Sequence, residues 1–427
     1  MKYFLFMLLT LNAFAISIKD YTPYKYEVYF TNPVCKEYFY ESPVLTNSGN
    51  FVASKPKNVY CKDDDKLINE FRITSPNYHV LKLVNDKDVK ELFLTYLSFS
   101  NHQVADALCR AIRRDVKVTF IIDSNAKDRA GSREELDMIK SCRPINVENE
   151  PRTEFRGNIS GLGYAHNKII LAHYKSNPDK RMVVFGSGNM STGTTTHHEN
   201  WNFLTTNKNS YFYQVHECIK EGMLNIQSRK DFKTFMKECR SKIATQEEED
   251  IKVYVIPTDG KAAMANITNK FDEATSIEGA AHRFTHLQIT NAIIKAEKEF
   301  KRVRFILDDD IYWVGVRNKR TGASMFFEFL KAIKIIQAGA DVRYMQTNQN
   351  GWQLHHNKFL IFNFADGSGG VHTGAGNFTK AAFSKNFENY YYVTIPEVVN
   401  TFRTQFDHMF YELATPFGDL PAIYVNP

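Results

Sequence analysis

His166-Asn167-Lys168 and His356-Asn357-Lys358 are two copies of one short string, and the same residue types follow each of them. Gly186-Ser187-Gly188-Asn189 comes after the first and Gly374-Ala375-Gly376-Asn377 after the second, then Glu199-Asn200 and Glu388-Asn389. His to Asn spans 23 residues in one copy and 21 in the other, and Asn to Glu spans 10 and 11. A neutral imidazole is a nucleophile near neutral pH, and its protonated form is a general acid. Two facing histidines can therefore divide the work on a phosphodiester. One attacks phosphorus while the other protonates the leaving oxygen, then serves as base for the water that releases the enzyme.

The other residues of each string suit that chemistry. A phosphodiester is anionic, so Lys168 and Lys358 as point charges and the amides of Asn189 and Asn377 as donors match what its oxygens require. On a strand, residues i and i+2 share a face, which aims His166 with Lys168 and His356 with Lys358. A nucleophilic histidine also needs its second ring nitrogen held as a donor, a task for which Glu199 and Glu388 stand at matching positions.

The elements that must position these residues repeat as well. An amphipathic helix over 103–113 precedes an apolar, β-branched strand over 116–123. A helix over 287–300 likewise precedes a strand over 303–308, and both strands end in Asp. Each half then offers a loop and helix, the His-x-Lys strand, and a further strand (181–185; 370–373) entering the glycine turn. That order is α/β, with the chemistry at strand ends.

The polar, acidic stretch 241–252 reads as a linker between two repeats, 79–240 and 253–427, with Glu247 to Asp250 a solvated run. Residues 16–78 read as an N-terminal extension without a counterpart in the second half. Residues 1–15 read as a cleaved signal peptide: Lys2, an apolar run from Tyr3 to Leu11, then Ala13-Phe14-Ala15. Six cysteines follow it; Cys35/Cys61 and Cys218/Cys239 are plausible local pairs that would leave Cys109 for Cys142, but spacing alone does not fix the connectivity, and buried free thiols are the alternative. These features predict a secreted or periplasmic protein. A net charge of +6 over 427 residues is a mild basic bias, compatible with an anionic substrate.

The paired His-x-Lys strings with their Gly-x-Gly-Asn turns resemble the phospholipase D superfamily, whose usual motif is His-x-Lys-x(4)-Asp. The resemblance spans residues 79 to 400. It implies two α/β-sandwich repeats related by a pseudo-twofold axis, one active site at their interface, and metal-independent transfer through phosphohistidine. It casts His166 and His356 as the catalytic histidines, with His166 attacking, Lys168 and Lys358 as phosphate-binding lysines, and Asn189 and Asn377 as phosphate-binding amides. The sequence departs from the family where the Asp should stand, five residues after each Lys: His173 and Asn363 occupy those positions. Tyrosyl-DNA phosphodiesterases of the superfamily also do without that Asp. Ala375, opposite Ser187, removes one hydroxyl donor from the second turn.

The resulting expectation is an exported phosphodiesterase, monomeric and without cofactor, that hydrolyses phospholipid headgroup bonds with peripheral membrane contact. A metal-independent nuclease acting on DNA or RNA is the rival, and a non-catalytic phosphate-binding protein the third reading. Ser187, Trp313 and Trp352 are expected to line the substrate groove, as are Tyr312 and the basic loop of Arg317, Lys319 and Arg320; ordinary loop packing is the bland alternative. His197-His198-Glu199 matches no zinc-binding spacing, so no metal is expected. The chain has neither the Gly-Lys-Ser/Thr of a P-loop nor a Gly-x-Ser-x-Gly elbow.

Overall fold

Two mixed β-sheets carry the strands predicted from the β-branched runs. A computed structural model describes residues 16–425 except 21–23, 34, 38–43, 46–50, 53–59, 62–73, 127–129, 159, 192, 227, 314–326, 348–352 and 421–423. The first sheet has seven strands in the order Lys25–Phe30, Asn200–Asn207, Lys180–Gly186, Ile169–Tyr174, Val89–Tyr96, Lys117–Asp123, Arg152–Arg156. The second has eight, in the order Ile251–Ile256, Glu388–Val393, Gly369–Gly374, Lys358–Asn363, Ser276–Ala281, Arg302–Asp308, Asp341–Met345, Thr415–Pro416. Apart from the last strand, the two orders superpose one for one, and each sheet has the same parallel and antiparallel ladders.

Side chains alternate across each strand between two cores, as the period of two requires. In Ile169–Tyr174, Ile170, Ala172 and Tyr174 face the helices 102–113 and 130–141, whereas Ile169 and Leu171 face the other repeat. Phe359 and Ile361 of the second repeat face inward in the same way, with Leu360 and Phe362 outward. The inner core therefore belongs to both repeats. Tyr391 lies within it, stacked on Phe185 at 3.8 Å between ring centroids, its hydroxyl bonded to His216 Nε2 at 2.8 Å. Helix Tyr211–Asn225 of the first repeat packs on strand Ile251–Ile256 of the second, and helix Pro396–His408 of the second packs on Lys25–Phe30 of the first.

Lys25–Phe30 corrects the predicted boundaries. It pairs antiparallel with Asn200–Asn207 as Ile251–Ile256 pairs with Glu388–Val393, so the first repeat begins inside the supposed extension. Helix Pro76–Asn85 likewise answers Gly260–Glu273. Length hid the match: 45 residues separate strand from helix in one copy and three in the other.

Cys109–Cys142 and Cys218–Cys239 form disulfides, tying helix 102–113 to the end of 130–141, and 211–225 to 229–241. Cys35 and Cys61 are opposed in a short antiparallel ladder; their side chains, like the whole of residues 1–15, lie outside the described residues. No described helix is long and apolar enough to cross a membrane.

The acidic run Glu247 to Asp250 is not wholly solvated. Helix 229–241 and strand 251–256 take up the ends of the predicted linker, and Glu248 is fully buried, accepting from Phe212 N–H at the start of helix 211–225. Asp250 Oδ1 accepts from Ile18 N–H at 2.9 Å. An acidic side chain here serves a helix N-terminus, where backbone N–H groups lack intrahelical partners. Burial raises the Glu248 carboxyl to about 7. A carboxyl raised on folding contributes stability that is complete below its unfolded value and is lost as pH rises to about 7. Thermal unfolding between pH 4.5 and 8 is expected to show wild type losing Tm relative to Glu248→Gln, by several degrees at the upper end. Parallel pH profiles would show that this carboxyl does not titrate in the window.

Candidate active site

Both His-x-Lys strings lie where the two sheets meet, at the entrance to their strands. His166 to Lys168 precede the ladder that starts at Ile169, a refinement of the predicted strand. Backbone bridges between the repeats fix them instead: His166 N–H donates to Phe387 O, and His356 N–H to His198 O, each at 2.9 Å. The aspartates closing strands 117–123 and 302–308 hold the preceding backbone. Asp123 accepts from Ala165 N–H and Asp308 from His355 N–H, both at 2.7 Å.

The glutamates are exchanged. His166 Nδ1 lies 2.7 Å from Glu388, and His356 Nδ1 lies 2.9 Å from Glu199, so each imidazole is served by the other repeat's carboxylate. The Glu388 contact is a well-formed hydrogen bond. The Glu199 contact is equally close but off-angle. The asparagines follow the same rule: Asn200 Nδ2 donates to Asn357 Oδ1 at 3.0 Å, and Asn389 Oδ1 accepts from Lys168 N–H at 3.0 Å. These cross-repeat asparagines escaped the sequence reading, although their duplication in both strings was the available signal.

The glycine turns bring their chain close to the glutamate strand. A Cβ on Gly188 would stand 2.2 Å from Glu199 Oε2, and one on Gly374, at φ +145°, would stand 2.2 Å from Asn389 O. Ser187 is fully buried, its hydroxyl accepting from Asn200 N–H at 3.0 Å. Asn189 and Asn377 are half-buried, and the side-chain oxygen of each is buried without a hydrogen-bond partner among the described residues.

Trp313 is placed elsewhere than expected. It is fully buried in the outer core of the second repeat, 5.1 Å from Tyr312, and cannot line an open groove. An indole so large finds its most favourable place in that core. Trp352, Arg317, Lys319 and Arg320 lie outside the described residues.

His166, His356 and both lysines are almost wholly buried. Burial, against the pull of Glu388, pushes the His166 imidazole below its usual range. His356 is pushed down further, by burial and then by Lys358 and the neighbouring histidines. Burial lowers the Lys168 ammonium to about 8 and Lys358 well below the ammonium range. Both lysines feel Glu199 and Glu388 together, so the two half-sites form one electrostatic unit. Two imidazoles, each with Nδ1 beside a carboxylate, and two lysines form a constellation able to attack, neutralise and protonate a phosphodiester.

A model of the family described as "Cardiolipin synthase, PLD-like domain" matches residues 86–222 and 267–410. The chain belongs to the phospholipase D-like family. Its superfamily comprises phosphodiesterases and phosphotransferases. No curated protein sequence matches the chain. Among solved structures, the phosphatidylserine synthase of Haemophilus influenzae Rd KW20 is similar at TM-score 0.56 and 11% identity, over 80% of this chain and 84% of that one. The polyphosphate kinase of Porphyromonas gingivalis gives 0.52 and 14% over 80% of this chain, which spans 47% of the kinase. The phospholipase D family member Nuc of Salmonella typhimurium gives 0.31 and 24%, over 39% of this chain and 97% of Nuc. At these identities the likeness shows the fold alone.

The residues standing where phospholipase D-like motifs carry Asp are built into ion networks farther along the sheets. His173 contacts Glu91 and Glu217, each at 3.3 Å. Asn363 donates to Glu278 at 3.0 Å and accepts from Arg403 at 2.7 Å. Burial opposes charge on His173, but its hydrogen bonds to Glu217 and Glu91 prevail and raise its pKa. His173→Ala is expected to cost about 1–3 kcal/mol of stability while activity on an aryl phosphodiester stays within a few-fold; a collapse of activity at unchanged Tm would place His173 in the chemistry. Glu388→Gln is expected to lower activity roughly 10²–10⁴-fold and to shift the imidazole NMR signals of His166 but not those of His356. The opposite pattern would sink the crosswise pairing.

Proposed function

We propose that this chain is an exported, metal-independent phosphodiesterase that hydrolyses phospholipid headgroup bonds through a phosphohistidine on His166. The observation that carries the chemistry is the buried pair of imidazoles, each beside a carboxylate of the other repeat. The tighter contact is at His166, where Glu388 fixes Nδ1–H as donor and leaves Nε2 as nucleophile. His356 then protonates the leaving oxygen and activates water. Lys168, Lys358, Asn189 and Asn377 hold the phosphoryl oxygens. Two disulfides fit an oxidising compartment and support the export reading.

Exposed apolar side chains near the two strings support lipid over nucleic acid. Tyr164, two residues before His166, is 46% exposed, and Leu287, Phe327 and Leu330 are 55%, 66% and 42% exposed. The last three lie on helices joined to the loop beside His356: Glu328 binds Arg283 at 3.1 Å and Phe284 N–H at 3.2 Å. Exposed Lys380 and Lys385 flank Asn377 and Asn386. Exposed apolar side chains together with lysines suit a lipid–water boundary.

Vesicles containing anionic and zwitterionic phospholipids, DNA and RNA, each offered with chelator present, test the substrate. Free headgroup should appear only with vesicles, and cleavage confined to nucleic acid would replace lipid with the nuclease reading. With an activated aryl phosphodiester, His356→Ala should release one equivalent and stall, while His166→Ala gives no burst. Exchange of those outcomes would exchange the two roles.

A further inference from the structure

Among the positions that touch the exchanged carboxylates, the one two residues before each glutamate differs between the repeats. Two residues before Glu388 stands Asn386, whose amide donates to Glu388 Oε1 at 2.8 Å and accepts from Tyr164 N–H at 3.1 Å. Two residues before Glu199 stands His197, its Nδ1 3.2 Å from the same Glu199 Oε1 that lies 2.9 Å from His356 Nδ1. One donor atom from each of His197, Glu199 and His356 lies within 4.8 Å of the other two. His282 adjoins them. Its ring centroid is 4.8 Å from that of His356, and both its ring nitrogens are buried without a hydrogen-bond partner.

We propose that His197, Glu199 and His356 form an inhibitory zinc site, with water as the fourth ligand. Two donors at about 2.0–2.1 Å from a tetrahedral ion sit roughly 3.3 Å apart. The 2.9 and 3.2 Å separations from Glu199 are close to that edge, and the donors of the two imidazoles lie within 4.8 Å of each other. Imidazoles with one carboxylate select zinc over magnesium or calcium, which prefer all-oxygen sites. The carboxylate offsets part of the charge of Lys358. The first repeat cannot form the mirror site, because Asn386 offers an amide already committed on both sides.

The consequence for the reaction is direct. An ion on His356 Nδ1 excludes a proton from that nitrogen and leaves the ring's proton on Nε2. The imidazole can then no longer cycle between acid and base, and no bond to substrate is made or broken by the metal. Inhibition rests on the hydrolase reading above; binding does not.

Full-length protein freed of metal should take up one equivalent of Co2+, with the visible ligand-field bands of a tetrahedral N/O site, and release it to Zn2+. His197→Asn, which installs the residue of the other repeat, should weaken Zn2+ binding at least about tenfold. It should also make turnover, relative to its own metal-free rate, correspondingly less sensitive to Zn2+, with chelator restoring wild type. Absence of the Co2+ spectrum in wild type, or equal Zn2+ affinity in His197→Asn, would overturn the site. Stoichiometric binding with unimpaired turnover would overturn its inhibitory role. If no phosphodiester is turned over at all, the Co2+ and Zn2+ titrations still decide whether the site exists.

Discussion

The exchange of carboxylates between repeats is the interaction on which the rest of the molecule depends. An imidazole whose Nδ1 faces no acceptor has no fixed tautomer and no fixed orientation. Here the acceptor comes from a residue 222 positions away for His166, and the reverse holds for His356. Neither repeat can assemble a competent histidine alone. This demand explains why so much of the structure is devoted to the docking of the two sheets. The inner core draws on both repeats, and the helix after each glutamate strand packs on the outer strand of the other half. The backbone bridges beside His166 and His356 set the depth at which the two motifs meet.

Electrostatics gives the exchange a second purpose. Two lysines buried side by side are costly unless opposite charge lies near. Glu199 and Glu388 act on both ammonium groups as well as on the imidazoles, and burial still draws Lys168 down to about 8. In the proposed reaction the anionic phosphodiester supplies the missing charge and favours the protonated imidazole needed for leaving-group departure. Binding and acid catalysis are then coupled through the same few groups.

Most strands were legible because β-branched runs alternate faces cleanly, and the predicted 116–123 and 303–308 differ from the observed spans by a residue at most. The catalytic strings were legible because they occur twice. What the sequence could not convey was which copy serves which: spacing places Glu199 after His166, but only docking shows that it belongs to His356. The strand Lys25–Phe30 was hidden by the long interval before its helix, and Glu248 by its place in an acidic run that looks solvated. Trp313 misled for a different reason. A tryptophan beside a motif-bearing loop suits a groove or a core equally well, and the choice rests on neighbours such as Phe329 and Tyr344 that come from later in the chain.

Pseudo-symmetry also separates what the reaction fixes from what it leaves free. His, Lys and Asn keep their types in both copies, as does Glu. The positions one step removed do not: His173 opposes Asn363, His197 opposes Asn386, Trp201 opposes Tyr390. At the distal end of the sheets, different groups meet the same need, a satisfied buried network, so an imidazole among glutamates or an amide between arginine and glutamate serves equally. Beside the carboxylates the need is not the same. Asn386 spends both ends of its amide on Tyr164 and Glu388 and fixes His166 in one tautomer, whereas Glu199 divides itself among Trp201, His197 and His356. A nucleophile must keep a single tautomer through the attack, and a group that both gives and takes a proton must not be held so firmly. The asymmetry in the supporting residues thus matches the asymmetry of the two proposed roles, although the histidines, lysines, asparagines and glutamates of the two strings are paired type for type.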